Sequence, residues 1–172
     1  MATTAIWDVK GWLGKLVIYA ENPEKTTNPK YYEKQDMNDN ETEALGDVIG
    51  YAMREDATVS EELKEHFVSG INCSTNTART EMMAVKKRYG KEDGIVAFHG
   101  YQSFAPNEAT PEIAHEIGVR LANELWGERF QVIVATHLDK ENHIHNHFVL
   151  NSVSFKDGYR YNDCTKTYML MR

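Results

Sequence analysis

The sequence predicts an α/β protein of the α+β kind, with a largely antiparallel central sheet covered by helices mainly on one face. Two observations support this prediction. Residues 130–136 and 144–154 are long apolar runs joined by a short polar link of hairpin length, as expected for neighbouring antiparallel strands. Apolar residues also recur at helical spacing in several segments, which alternate with other strand-like runs. The second face of the sheet is left for functional side chains.

The N-terminal half predicts two strands and three helices around a polar loop. The strands are the apolar stretches 3–9 and 67–73, and the helices are the segments with helical spacing, 11–20, 41–54 and 76–89. Residues 21–40 are polar and contain two prolines, so they predict a loop. We expect Asn72, Ser74 or Thr75 to cap the third helix and Gly90 to end it.

The C-terminal half predicts further strands around one well-marked helix. The strand-like segments are 94–104, 130–136, 144–154 and a short run through Tyr161 that follows a turn at 156–158. Thr-Pro-Glu at 110–112 is a typical helix start, because threonine caps the first turn and proline fits its first position. That helix ends at Gly127. The tail from Thr165 is predicted to be helical.

Length and composition favour one soluble domain. The chain has 172 residues, of which 41% are hydrophobic, and we expect residues 1–172 to form a single domain. No run approaches the roughly 18 apolar residues of a membrane-spanning helix, and the start lacks the pattern of a signal peptide, which predicts a cytoplasmic protein. Cys73 and Cys164 lie far apart and match no zinc spacing, so we interpret them as reduced thiols.

The net charge of −7 at first argues against a nucleic-acid partner. The charge is uneven, however, because residues 21–65 hold 13 acidic and 5 basic residues and leave the remainder close to neutral. The remainder contains a basic cluster at 86–88, for which a solvated helix face is the simplest interpretation. Scattered cations, among them Arg79, Lys156 and Arg160, suffice for phosphate contacts without a strong field.

Four histidines at 137, 143, 145 and 147 are the strongest functional signal. On a strand, His143, His145 and His147 would point to one face at intervals of about 7 Å, and the hairpin would return His137 beside them. Several imidazoles on one face repel one another when charged and need many partners when neutral, which favours a role in metal binding or in phosphate chemistry. An ion held by three imidazoles with open positions polarises a phosphoryl or carbonyl oxygen.

Two residues near this cluster have open roles. Asp139 is placed to accept the second N–H of a ligand histidine or a proton from a nucleophile, although a simple acid of a hairpin loop is an equal alternative. His143 is a further ligand, a proton acceptor or only a neighbour of the site. The sequence alone leaves these alternatives open.

Three segments carry a family resemblance. Residues 16–25 read Leu-Val-Ile-Tyr-Ala-Glu-Asn-Pro-Glu-Lys, and residues 98–111 read Phe-His-Gly-Tyr-Gln-Ser-Phe-Ala-Pro-Asn-Glu-Ala-Thr-Pro. The third is His137-Leu-Asp139, followed by His145-Asn-His147-Phe-Val-Leu-Asn151. In this order they resemble the N-terminal, middle and histidine motifs of the conjugative relaxases of the MOB-P type, in the HUH endonuclease superfamily. The resemblance covers about residues 3 to 162.

The resemblance implies a metal-dependent enzyme that nicks and rejoins one DNA strand at an origin of transfer. It implies that His137, His145 and His147 bind Mn²⁺ or Mg²⁺ and that Tyr19 attacks the scissile phosphate, giving a 5′-phosphotyrosine and a free 3′-OH. Ser103 would contact DNA near the nick.

Further expectations accompany these roles. Glu108 of the middle motif and Arg79 are additional candidates for DNA binding. Single-stranded DNA and accessory relaxosome proteins are the expected partners, and the chain is expected to be the N-terminal part of a longer protein.

The chain departs from the common motifs in two places. Asn107 stands where glycine is common in the middle motif, and one extra residue separates His137 from the last two histidines. The pair His143-Ile-His145 is therefore an alternative, although the Phe-Val-Leu-Asn segment after His147 favours His145 and His147. Tyr31 and Tyr32 are alternative nucleophiles, and Tyr19 has the simpler alternative of packing its ring against the sheet.

Three other functions compete with the relaxase interpretation. The histidine run also resembles the histidine-triad nucleotide hydrolases, which act without metal but prefer an apolar residue where Asn146 stands. A metal-stabilised binding domain without catalytic activity would leave Tyr19 with no chemical role. Rolling-circle replication initiators share the chemistry but have a different motif order, since here the tyrosine comes first and the histidines last.

Overall fold

The computed structural model describes residues 2–10, 41–53, 59–60, 65–138 and 144–171. The predicted helix 11–20 and loop 21–40 lie outside these residues. So do Tyr19, Tyr31, Tyr32, Asp139 and His143. Within the described ranges, the structure has no helix with the length and apolar character needed to span a bilayer.

The described residues form seven strands and four helices, and the short strands at 59–60 and 65–66 were not predicted from the sequence. The strands are β1 (Thr3–Lys10), β2 (Val59–Ser60), β3 (Glu65–His66), β4 (Val68–Ile71), β5 (Ile95–Ser103), β6 (Val132–His137) and β7 (His145–Asn151). The helices are α1 (Glu41–Ala52), α2 (Ala78–Arg88), α3 (Pro111–Trp126) and α4 (Thr165–Met169).

Five of the strands form one open sheet in the order β1-β5-β7-β6-β4. All neighbouring pairs are antiparallel, and the predicted hairpin partners β6 and β7 lie side by side. Strands β2 and β3 form a separate antiparallel pair. The prediction of an antiparallel α+β fold is therefore confirmed.

The helices are distributed over both faces of the sheet. Trp126 of α3 packs against Phe148 on one face, while Leu45 of α1 and Met82 of α2 share a core with Val149 on the other. This differs from the expected placement of helices mainly on one face. The reason is that β6 carries apolar side chains on both faces, Val132 and Val134 on one and Ile133 and Ala135 on the other, so helices cover both sides of the strand.

Helix boundaries agree with the sequence at α3 and differ at α2. The Oγ1 atom of Thr110 accepts a hydrogen bond from the Ile113 backbone N–H, so the predicted cap of α3 is confirmed. The N-cap of α2 is Thr77, and the predicted caps Asn72, Ser74 and Thr75 are wrong. Asn72 instead donates its side-chain N–H to the carbonyls of Gly127 and Phe130, at 2.7 and 2.9 Å.

The C-terminal segment follows the prediction in part. Helix α4 begins at Thr165 as expected. The predicted strand through Tyr161 is reduced to an isolated bridge between Val153 and Arg160. Gly90 follows α2 with φ of +60°, a conformation that favours glycine after a helix end.

Candidate metal and nuclease site

Three of the four clustered histidines converge on one face of the sheet. His137 ends β6 and pairs in register with His145 at the start of β7, and His147 follows two residues later on the same face. One nitrogen from each ring can be chosen so that all three lie within 4.8 Å of one another. His137 and His147 are buried, and His145 is half-buried. Such a set of imidazole donors fits a divalent ion.

The backbone of α1 orients the first of these rings. The Nε2 atom of His137 lies 2.9 Å from the carbonyl oxygen of Ala52, the last residue of α1. Because a carbonyl oxygen only accepts, Nε2 must carry the proton and donate it. The lone pair of neutral His137 is then on Nδ1, which is the atom available to a metal ion.

A fifth histidine, His99 of β5, extends the cluster. Its Nε2 atom lies 2.9 Å from Nδ1 of His147, and the two ring planes are inclined by 20° with their centroids 5.0 Å apart, so the rings lie side by side. Burial, with a smaller contribution from nearby His137, lowers the pKa of His99 to about 4. His99 belongs to the middle motif, but the sequence pattern does not mark it as a site residue. Side-chain alternation back from Ser103 is the signal that could have found it.

Ser103 lies beside the histidines in the sheet. It is the last residue of β5 and pairs in register with His145 of β7. Directly opposed residues of antiparallel strands point to the same face, so the Ser103 hydroxyl and the His145 ring share the face of the cluster. Tyr101 has the same relationship with His147.

Glu108 and Arg79 occupy other parts of the described structure. Glu108 belongs to the exposed loop after β5, where its carboxylate accepts a hydrogen bond from the Ala105 N–H at 2.8 Å. Arg79 is an exposed residue of α2, and its guanidinium lies close to Gly46 of α1. Of the three predicted DNA-binding residues, Ser103 therefore shares a sheet face with the histidines. Glu108 lies on the loop after β5, and Arg79 lies on α2.

Two aromatic residues that the sequence reasoning missed pack on the cluster. The Tyr51 ring, from α1, lies edge-on to His137 and His147 with centroid distances of 5.7 and 5.5 Å. The Trp7 ring, from β1, lies edge-on to His99 at 4.9 Å. Helical or strand spacing alone does not reveal such contacts, since that of Tyr51 depends on how α1 crosses the sheet and that of Trp7 on the pairing of β1 with β5.

Comparisons with known proteins show that the chain is similar to relaxases. The nuclease-domain family of MobA/VirD2-like relaxases matches residues 51–172. Protein rlx of Staphylococcus aureus is 41% identical over 104 residues, which are 60% of this chain and 32% of the relative. The group II intron-interrupted relaxase LtrB of Lactococcus lactis subsp. cremoris is 28% identical in an alignment covering 83% of this chain and 28% of the relative. No solved structure matches.

Fold and site together define an α+β protein with a histidine-lined candidate metal site on its central strands. The chain belongs to the family of MobA/VirD2-like relaxases and matches their nuclease domain, so the predicted relaxase resemblance is confirmed. The matched family domain is a nuclease domain, which agrees with the class of enzyme predicted from the sequence. The chain spans about a third of the length of the curated relatives it matches. Its middle and histidine motifs lie inside the matched residues, and Tyr19 precedes them.

Proposed function

We propose that this chain nicks and rejoins one DNA strand at an origin of transfer, through a covalent 5′-phosphotyrosine and with a bound divalent ion. The observation that carries the proposal is the convergence of three imidazoles within 4.8 Å on the central strands of a relaxase nuclease domain. Single-stranded DNA and accessory relaxosome proteins are the proposed partners, and the cytoplasm is the proposed compartment.

The proposed ligands are His137, His145 and His147, with Mn²⁺ or Mg²⁺ as the ion. The convergence of the His137, His145 and His147 rings supports the pair His145 and His147, and His143 of the alternative pair lies outside the described residues. A divalent ion at this position would neutralise the charge that develops on the nonbridging oxygens of the scissile phosphate. His143 has no assigned role in this proposal.

The proposed nucleophile is Tyr19. Its phenolic oxygen forms a bond to phosphorus, the bond between phosphorus and the 3′-oxygen breaks, and the 3′-oxygen takes up a proton. Asp139 is the proposed acceptor of the tyrosine proton. The ester conserves the energy of the broken bond, so attack by a 3′-OH on the phosphotyrosine reverses the reaction and rejoins the strand.

DNA binding is proposed to begin beside the histidines. Ser103 shares their face and would donate a hydrogen bond to the backbone near the nick. Glu108 and Arg79 are the other proposed contacts, on the loop after β5 and on α2. The net charge of −7 supports binding by a few specific contacts rather than by a broad positive surface.

The experiment incubates the protein with single-stranded oligonucleotides that tile the origin of transfer, in the presence of Mn²⁺, and resolves covalent adducts on a denaturing gel. We expect an adduct in the wild type that EDTA prevents and that Tyr19→Phe lacks. Tyr31→Phe and Tyr32→Phe are matched controls and should retain it. An adduct that persists in Tyr19→Phe would refute this nucleophile, and metal-independent nucleotide hydrolysis would favour the histidine-triad hydrolase.

A further inference from the structure

His99 lies next to His147, one of the proposed ligands, and is surrounded by aromatic side chains. It lies on β5 with 8% of its surface exposed, opposite Trp7 of β1 and Val149 of β7. Its ring lies beside that of His147 in nearly the same plane, and the Trp7 and Tyr51 rings contact it with centroid distances of 4.9 and 6.2 Å. Neighbours on several sides leave the His99 ring little freedom to change orientation.

The hydrogen bond between His99 and His147 has two possible directions. If Nε2 of His99 donated, Nδ1 of His147 would be the acceptor, and a neutral His147 would carry its proton on Nε2. Neither nitrogen of His147 would then offer a lone pair to a metal ion. If Nδ1 of His147 donates instead, its Nε2 keeps the lone pair that a metal ligand requires. Only the second direction is compatible with His147 as a ligand.

We propose that His99 is a positioning residue that accepts the Nδ1 proton of His147 and holds that ring in the tautomer and orientation of a metal ligand. The inference rests on the proposed metal site. His99 would act on His147 as the Ala52 carbonyl acts on His137. In that second case a backbone oxygen accepts the Nε2 proton of the histidine. Acceptors of this kind fix the tautomer of ligand histidines, and their loss typically lowers metal affinity by about 10- to 100-fold.

The test compares two substitutions at one position. His99→Phe keeps an aromatic ring but removes the acceptor, whereas Gln in His99→Gln offers an amide oxygen that can accept the same proton. Mn²⁺ affinity is measured on the DNA-free protein by electron paramagnetic resonance titration. We expect His99→Phe to bind Mn²⁺ about 10- to 100-fold more weakly than the wild type, with His99→Gln restoring most of the loss. Thermal unfolding in EDTA checks that both variants fold.

A second readout uses the wild-type protein, so it does not depend on a variant that folds. Nitrogen-15 NMR of the imidazoles, with Zn²⁺ as a diamagnetic probe, reports which nitrogen of His147 carries the proton. We expect the proton on Nδ1. A proton on Nε2, or unchanged Mn²⁺ affinity in His99→Phe, would overturn the role of His99.

A further control separates this inference from the function on which it rests. His147→Ala should lose Mn²⁺ binding if the proposed metal site exists. If the wild type itself binds no Mn²⁺, the metal site fails and the inference fails with it. If the wild type binds Mn²⁺ and His147→Ala does not, while His99→Phe binds as tightly as the wild type, only the role of His99 is wrong.

Discussion

Lys86 of α2 donates a hydrogen bond from Nζ to Oδ1 of Asn151, at the end of β7, over a distance of 2.7 Å. The lysine is fully buried and also donates to the Ser152 hydroxyl at 2.7 Å. The interpretation of residues 86–88 as a solvated helix face is therefore wrong for Lys86. Asn151 follows the Phe-Val-Leu run of the histidine motif. The hydrogen bond from Lys86 therefore connects α2 to the strand that carries His145 and His147.

Replacement of Lys86 should destabilise the fold. Lys86→Met removes the 2.7 Å charged donor to Oδ1 of Asn151, while the longer 3.4 Å hydrogen bond from the Val153 N–H remains, and the loss of a hydrogen bond to a charged group costs about 1.5–3 kcal/mol. We expect a loss of that size in the free energy of unfolding, measured by urea denaturation. Lys87→Met at the exposed neighbouring position is the control and should change it by no more than about 0.5 kcal/mol. Equal effects of the two substitutions would contradict this account.

Gly118 of α3 leaves room for a buried amide on the opposite face of β7. Asn146 donates to the Ala114 carbonyl at 2.7 Å and to Oε1 of Gln102 at 2.9 Å, and a Cβ at position 118 would collide with that amide. Gly118→Ala should therefore lower the free energy of unfolding by about 1–3 kcal/mol, because overpacking displaces Asn146.

The matched control for this substitution is Gly50→Ala in α1. A Cβ at Gly50 meets nothing within 4 Å, and the residue is exposed within its helix. Alanine there should stabilise the protein by about 0.5–1 kcal/mol, the usual difference between glycine and alanine in a helix. Urea denaturation of both variants gives the comparison, and a neutral Gly118→Ala would show that Asn146 is not held in place as described.

Asn107 has φ of +62°, in the left-handed region that non-glycine residues seldom adopt. This conformation explains why glycine is common at this point of the middle motif and why asparagine, which tolerates the region better than most residues, replaces it here. Asn107→Ala should destabilise the protein by about 1 kcal/mol, and Asn107→Gly should be nearly neutral. Thermal unfolding of the pair checks this, and the reverse order would mean that the loop differs in solution.

The sequence predicted the convergence of the histidines because its causes are local. Alternation along β7 puts His145 and His147 on one face, and the hairpin link returns the chain so that His137 faces His145. The cap at Thr110 was predictable for the same reason, since it depends on the residues that immediately follow. Patterns within one or two adjacent elements therefore predicted the centre of the site.

The rest depends on how distant elements pack. Tyr51 and Lys86 have the spacing of ordinary helical residues. The position of α1 over the sheet places Tyr51 against the histidines, and the position of α2 places Lys86 against the end of β7. His99 required knowing that β5, and not another strand, lies beside β7. The strand order and the placement of helices on both faces are long-range properties that no sequence window contains.

The most direct test of the central claim, that His137, His145 and His147 together hold one divalent ion, is anomalous diffraction from crystals grown with Mn²⁺. We predict a single strong anomalous peak bounded by a nitrogen of each of these three rings. Data from His145→Ala crystals should show that peak lost or greatly weakened. A wild-type protein that forms the covalent DNA adduct in Mn²⁺, yet shows no peak among these three histidines, would contradict the account.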